Sequence, residues 1–302
     1  MLDAEVCYWG NRDESEPVGN PMTSARLTAL PDFESPPVVE TVLSLQFEPL
    51  PAVKTAHLGL LWNEYRASFP KTEERPPLDP VLEQFPERPV GRVGLKLQTF
   101  ENPPIPRLWF ANSQGSEMIQ VQSDRFIKNW RKEGDAEQYP RYERTIRPHF
   151  DRDYGIFLDF LKKNQLGTPR VNQCEVTYVN HVLAGEGWDR YGELEKIFVF
   201  WRSFDLTPPG PVEDLRLHAR FVIPGETGNP IGRLHVDLQP AVRISDTRPM
   251  YVLQLTARGH VGDGQDFLDI GREWIVGAFK GLTSSSMHRV WGIKSDEESG
   301  NR

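Results

Sequence analysis

Four short segments carry polar groups at two-residue spacing. They are Gln173, Glu175 and Thr177; Arg216, His218 and Arg220; Arg233, His235 and Asp237; and Arg258, preceded by Gln254 and Thr256. Residues two apart on a strand share a face. If the four segments are strands of one sheet, these side chains form one polar face. Arginine grips carboxylates in bidentate fashion, glutamine meets amides and backbone, and histidine supplies an acid–base group. The candidate binding surface is therefore Gln173, Glu175, Thr177, Arg216, His218, Arg220, Arg233, His235, Asp237 and Arg258. The plain alternative is a sheet face that meets only water, as antiparallel sheets often do.

Sharper chemistry finds less support. A turn near Thr227 would set His218 and His235 nearly opposite each other, with Asp237 close by. A metal needs three or four converging ligands, and no further His or Cys has suitable spacing, so no metal or cofactor is expected. Gly259-His-Val-Gly-Asp-Gly264 lacks the Lys-Ser/Thr of a phosphate loop and the spacing of a dinucleotide fingerprint. It reads as a turn into a helix, with Asp263 or Gln265 near the cap. Thr283-Ser-Ser-Ser286 with His288 lacks a nucleophile elbow and reads as a loop. Cys174 alternates with Val176 and Tyr178 and reads as a buried thiol. No catalytic residue is assigned.

The elements that would carry the polar face come from periodicity. Val38–Phe47 alternates as a strand. Leu58, Leu61, Trp62, Tyr65 and Phe69 recur at helical spacing. A proline-rich connection, Pro76–Pro89, follows, with a helical turn expected at Val81–Phe85. Strand patterns then run through Val93–Phe100, Arg107–Ala111, and Met118–Gln122 continuing into Phe126–Trp130. Ser113-Gln-Gly115 gives a hairpin turn. Tyr139–Asn164 is the strongest helix, with Ile146, Phe150, Tyr154, Phe157, Leu158 and Leu161 on one stripe. Pro148 allows a kink or a later start. Tyr139-Pro-Arg-Tyr-Glu-Arg144 opens it, with Arg141 and Arg144 expected to meet acids. Past Arg170–Val182 come a helical segment at Asp189–Ser203, strands at Asp214–Ile223, Ile231–Val242 and Met250–His260, and a helix at Gln265–Leu282.

The order strand, helix, three strands, long helix occurs twice. The expected fold is α+β: two similarly ordered β-α-β-β-β-α units, mostly antiparallel sheet with long helices on one face. Residues 1–30 read as a flexible tail, 31–168 as the first unit, 169–294 as the second and 295–302 as a C-terminal tail. The units could stack as two domains or join edge to edge into one saddle-like sheet; joining would remove two exposed edges and is preferred.

Composition bounds the partners. The 302 residues carry a formal net charge of -8, against the basic face a general nucleic-acid binder needs. A saddle-shaped nucleic-acid clamp is the weakest reading for that reason. The two cysteines make no disulfide framework, no apolar run approaches a membrane span, and the start lacks a signal-peptide layout. A cytoplasmic protein is expected.

Three blocks add a resemblance. They are Pro36-Pro-Val-Val-Glu40 leading to Gln46-Phe-Glu-Pro-Leu50, Tyr139-Pro-Arg-Tyr-Glu143, and Val171-Asn-Gln-Cys-Glu-Val-Thr-Tyr-Val-Asn180. Together they resemble a sporadically distributed bacterial protein family of uncharacterised function, over about residues 35–292. The third block is the most specific. Patchy distribution implies mobile genes and leans towards toxin–antitoxin, immunity or phage-defence systems. Two readings stand. One is a non-enzymatic binding component, antitoxin-like or defence-associated, with a co-encoded protein partner. The other is a small-ligand-binding or enzymatic α+β domain, with His218, His235 and Arg220 lining a pocket.

Overall fold

Alternating apolar residues build strands whose inward sides need a cover, and helices supply it. The computed structural model describes residues 30–85, 105–202, 210–259 and 267–294. Its strands are β1 (Val38–Phe47), β2 (Lys71–Arg75), β3 (Arg107–Ala111), β4 (Glu117–Gln122), β5 (Arg125–Arg131), β6 (Val171–Leu183), β7 (Leu217–Pro224), β8 (Pro230–Val242) and β9 (Pro249–Gly259). They form one nine-stranded sheet in the order β2-β3-β4-β5-β1-β6-β9-β8-β7. Every neighbouring pair is antiparallel. Mixed helices and this large sheet make the fold α+β. β1 and β6 pair at its middle, Leu43 against Val176 and Leu45 against Cys174, so the sheet runs unbroken through both halves of the chain.

The helices are α1 (Thr55–Tyr65), α2 (Arg147–Lys163), α3 (Leu194–Ile197), α4 (Phe267–Leu282) and α5 (Ser285–Val290). α2 buries Phe150, Phe157, Phe160 and Leu161. Phe126 of β5 meets the rings of Phe150 and Phe157 at 5.8 and 5.4 Å. Burying each such ring contributes about 2–3 kcal/mol. α1 sets Tyr65 against Phe110 of β3, 5.9 Å between rings. α4 seats Phe267 over two glycines, where a Cβ on Gly259 would stand 2.3 Å from the ring and 2.4 Å from the Ile231 carbonyl oxygen. Glycine is therefore required at Gly259 by close approach, not by an unusual φ.

A buried ion pair sits on this helix-covered side. Lys128 of β5 is 5 % exposed; its Nζ lies 2.5 Å from Asp153 Oδ2 of α2 and 2.7 Å from Glu117 Oε2 of β4. It also lies 4.7 Å from the centre of the Phe69 ring. Tyr65 donates its hydroxyl to the Asp153 carbonyl at 2.6 Å. A charge buried among rings needs such pairing to be tolerated.

Several expectations are corrected. Met118–Gln122 and Phe126–Trp130 are not continuous: a tight turn makes them the hairpin β4–β5. β2 was missed, because Lys71-Thr-Glu-Glu-Arg75 is exposed throughout and has no apolar alternation. The long helix begins later than Tyr139. Arg141 takes φ 66°, a π turn spans Tyr142–Ile146, and α2 starts at Arg147 with Pro148 in its first turn. Pro148, which cannot donate, thus falls where the π turn passes into the α-helix. The helix expected over Asp189–Ser203 shrinks to α3, because Phe198 turns extended and bridges Thr283. Thr283–Ser286 is no loop: Ser284 caps α5, accepting a hydrogen bond from the Met287 amide at 3.3 Å. Cys174 is a buried thiol, as its alternation with Val176 and Tyr178 predicts. The 1–29 stretch of the N-terminal tail, Val93–Phe100, the turn around Asp263 and the C-terminal tail lie outside the described residues. No helix among the described residues is long and apolar enough to cross a membrane.

Candidate binding face

The helix-free side of the sheet holds the polar alternates of each strand. At one end of the strands four of them stand in line: Gln122 pairs with Arg125, Arg125 with Gln46, and Gln46 with Gln173. The line continues one pair further along as Glu175, Arg258 and Arg233. Adjacent strands are about 4.8 Å apart, so the row is a ladder of polar groups perpendicular to the strands.

An extended segment, Leu78–Phe85, lies along this row. The expected helical turn at Val81–Phe85 is absent. The Val81 and Glu83 amides donate to Gln46 and Gln173 on adjacent strands, and that spacing holds the segment extended. Leu78 donates its amide to Gln122 Oε1 at 3.0 Å, and Gln122 Nε2 donates back to the Leu78 carbonyl at 3.0 Å. Arg125 donates to the Asp79 carbonyl at 3.1 Å. The Val81 amide donates to Gln46 Oε1 at 2.9 Å, and the Glu83 amide to Gln173 Oε1 at 2.9 Å. Arg125 also donates to Gln46, and Gln46 Nε2 donates to Asn172 Oδ1 at 3.1 Å, which fixes the orientation of the Gln46 amide.

The segment ends in a carboxylate clasp. Glu83 Oε2 accepts from Arg233 Nη1 at 2.5 Å and Oε1 from His235 Nε2 at 2.7 Å. Arg258 Nη1 lies 3.5 Å from Oε1 and binds Glu175 Oε2 through Nε at 2.6 Å. Arg233 also donates to the Gln84 carbonyl at 2.9 Å and lies 4.1 Å from the centre of the Phe85 ring. The side chains of Glu83 and Arg233 are each 7 % exposed. Burial by itself would raise the Glu83 carboxyl. Hydrogen bonds from His235 and Arg233, with the charges of His235 and Arg258, overcome it and hold the group at about 2.

Of the apolar side chains of the strap, Phe85 lies over Arg233, while Val81 and Leu82 take little part. Val81 and Leu82 are 43 % and 45 % exposed. Polar contacts to its main chain and to one carboxylate hold this segment down.

The ten sequence-selected residues therefore divide. Gln173, Glu175, Arg233, His235 and Arg258 come together at the clasp. Thr177 is buried one step along, its hydroxyl 2.9 Å from that of Thr256. His218 pairs with Asp237 at 2.7 Å on the outer surface, and Arg220 is exposed opposite His235. Arg216 is exposed and precedes β7. His218 and His235 lie nearly opposite each other, as a turn near Thr227 predicts: His218 pairs in register with Asp237, and the two imidazoles are diagonal neighbours with ring centres 6.3 Å apart. The clasp half of the face is not open to water, because the strap covers Gln173 and Arg233.

Sequence reading missed Gln46, Gln122, Arg125 and Glu83. The first three stand at polar positions near strand ends, a signal that needs the register to be read. Glu83 is the acid between the apolar pair Val81-Leu82 and Phe85. Among the described residues no group of three or more His, Cys, Asp or Glu side chains is placed to hold a metal ion. A scan of protein-family models and a search of curated proteins each find no match for the chain.

Proposed function

We propose that the protein is a non-enzymatic binding component that holds another polypeptide on the polar face of its sheet. One observation carries this reading: Gln122, Gln46 and Gln173 stand in register and accept the amides of one extended segment, whose carboxylate ends among Arg233, His235 and Arg258. Side-chain amides that read main chain favour a polypeptide over a small molecule. The partner is another protein, encoded beside this one, and the setting is antitoxin-like, immunity or phage defence, as the family resemblance suggests. The sheet order favours reading the chain as two related units, with β1 beside β5, β6 beside β9 and the first strands of both paired, although the first departs from the expected β-α-β-β-β-α order by carrying four strands, β2–β5, after α1 where the second carries three.

Expression from the native operon followed by size-exclusion chromatography tests the proposal. A neighbouring gene product should co-elute with the chain. Persistent elution alone, with all neighbours expressed, would sink it.

A further inference from the structure

We infer that Leu78–Phe85 is an internal stand-in for the partner, and that the partner's docking segment is an extended peptide with an acidic side chain placed like Glu83. The inference rests on the binding reading above and specifies its ligand. What the row recognises is nearly independent of sequence. Leu78, Val81 and Glu83 offer main-chain amides to Gln122, Gln46 and Gln173, and any extended residues other than proline at those places would do the same. The selective element is the carboxylate, gripped by Arg233, His235 and Arg258. An aromatic two residues later, as Phe85 lies over Arg233, adds a second preference.

The strap suits exchange. Val81 and Leu82 face outwards, so its departure uncovers polar groups, each of which a competing peptide satisfies again. The strap itself withdraws the clasp from water: Arg233 is 7 % exposed beneath Glu83, Gln84 and Phe85, and the strap's departure leaves Arg233, His235 and Arg258 as a basic cluster that another carboxylate can pair. The site is thus filled either from within or by a partner. The intramolecular segment competes at high effective concentration, so it limits access until a better-matched acidic segment arrives. Charge agrees with the assignment. The chain is acidic overall, and this clasp gathers Arg233, His235 and Arg258 around one carboxylate, with Glu175 paired to Arg258.

The test uses a labelled peptide copied from residues 76–85, Pro-Pro-Leu-Asp-Pro-Val-Leu-Glu-Gln-Phe, and the full chain. By fluorescence anisotropy, Glu83→Ala should bind this peptide at least about tenfold more tightly than wild type, because its own strap has lost its anchor. The same peptide carrying Glu83→Gln should bind the variant at least about tenfold more weakly. A folded Glu83→Ala chain that binds neither peptide, or both alike, overturns the inference. If that variant does not fold, wild-type chain in excess peptide is followed by amide hydrogen exchange. Protection of Leu78, Val81 and Glu83 should fall as the peptide replaces the strap, and unchanged protection overturns the inference. Peptide exchange without any co-eluting partner would discard the binding-component reading alone. A co-eluting partner with no peptide exchange would discard this inference alone.

Discussion

Glu83 and Arg233 stand 150 residues apart in the chain, and their side chains meet at 2.5 Å, both nearly withdrawn from water. The pair ties a proline-rich connection to the far side of the sheet. Removing one partner leaves the other charged and buried. Glu83→Ala is expected to lower stability by roughly 3 kcal/mol, read as a shift in the urea midpoint. A change below about 0.5 kcal/mol would mean that water replaces the carboxylate freely.

Acid should loosen the same contact. The Glu83 carboxyl is held at about 2, below its ordinary 4.5. A carboxylate depressed in the folded state contributes stability that is full above 4.5 and lost as pH falls towards 2. Hydrogen exchange at the Val81 and Glu83 amides should therefore quicken over that window beyond the intrinsic pH effect. Glu83→Gln should abolish the extra dependence. Identical pH profiles for the two proteins would contradict the assignment.

Gln46 supports the strap and its neighbours together. It accepts from the Val81 amide and Arg125, and donates to Asn172. Gln46→Leu should cost about 1–2 kcal/mol, mostly by orphaning the Val81 amide and leaving Arg125 with the Asp79 carbonyl but without Gln46. The sheet should persist by circular dichroism while strap amides lose protection.

Lys128 and Asp153 are a second buried pair, between β5 and α2. Lys128→Met is expected to cost about 3 kcal/mol. Adding Asp153→Asn should return part of that loss, giving a coupling of at least about 1 kcal/mol in a double-mutant cycle. By contrast, His218→Ala removes an exposed pair with Asp237 and should change stability by less than about 0.5 kcal/mol.

Gly259→Ala places a methyl where Phe267 and the Ile231 carbonyl already stand. Backbone cannot yield as a side-chain tip can. The variant should lose about 2–3 kcal/mol, and trimming Phe267 to Leu should not restore it.

Most strands were legible because one side of each is buried and the other is polar. Leu43, Leu45 and Phe47 announce β1, and Leu253, Leu255 and Ala257 announce β9. β2 was not legible, since its pairing with β3 is a main-chain matter and all five of its side chains are exposed. The polar face could be drawn by counting alternate residues, but its use could not. Gln46, Gln122 and Gln173 become a row only through the strand register, and local sequence gives no register between β1 and β6. The strap looked like a linker because the groups that hold it lie elsewhere, from Gln46 to His235. Glu83 carries no local mark of burial, since its partners are 150 and 152 residues away.

The pairing of β1 with β6 has a consequence for how the chain is made. Synthesis delivers β1 early, and β5 can cover one side of it once residue 131 has emerged. Its other side stays an open apolar edge until residues 171–183 follow. A nascent chain stalled in that interval would offer a ready template for pairing with a neighbour. The same geometry means that a chain cut near Gly167 would yield two fragments with matching bare edges. Each would be sticky alone, and together they should reassemble across β1 and β6.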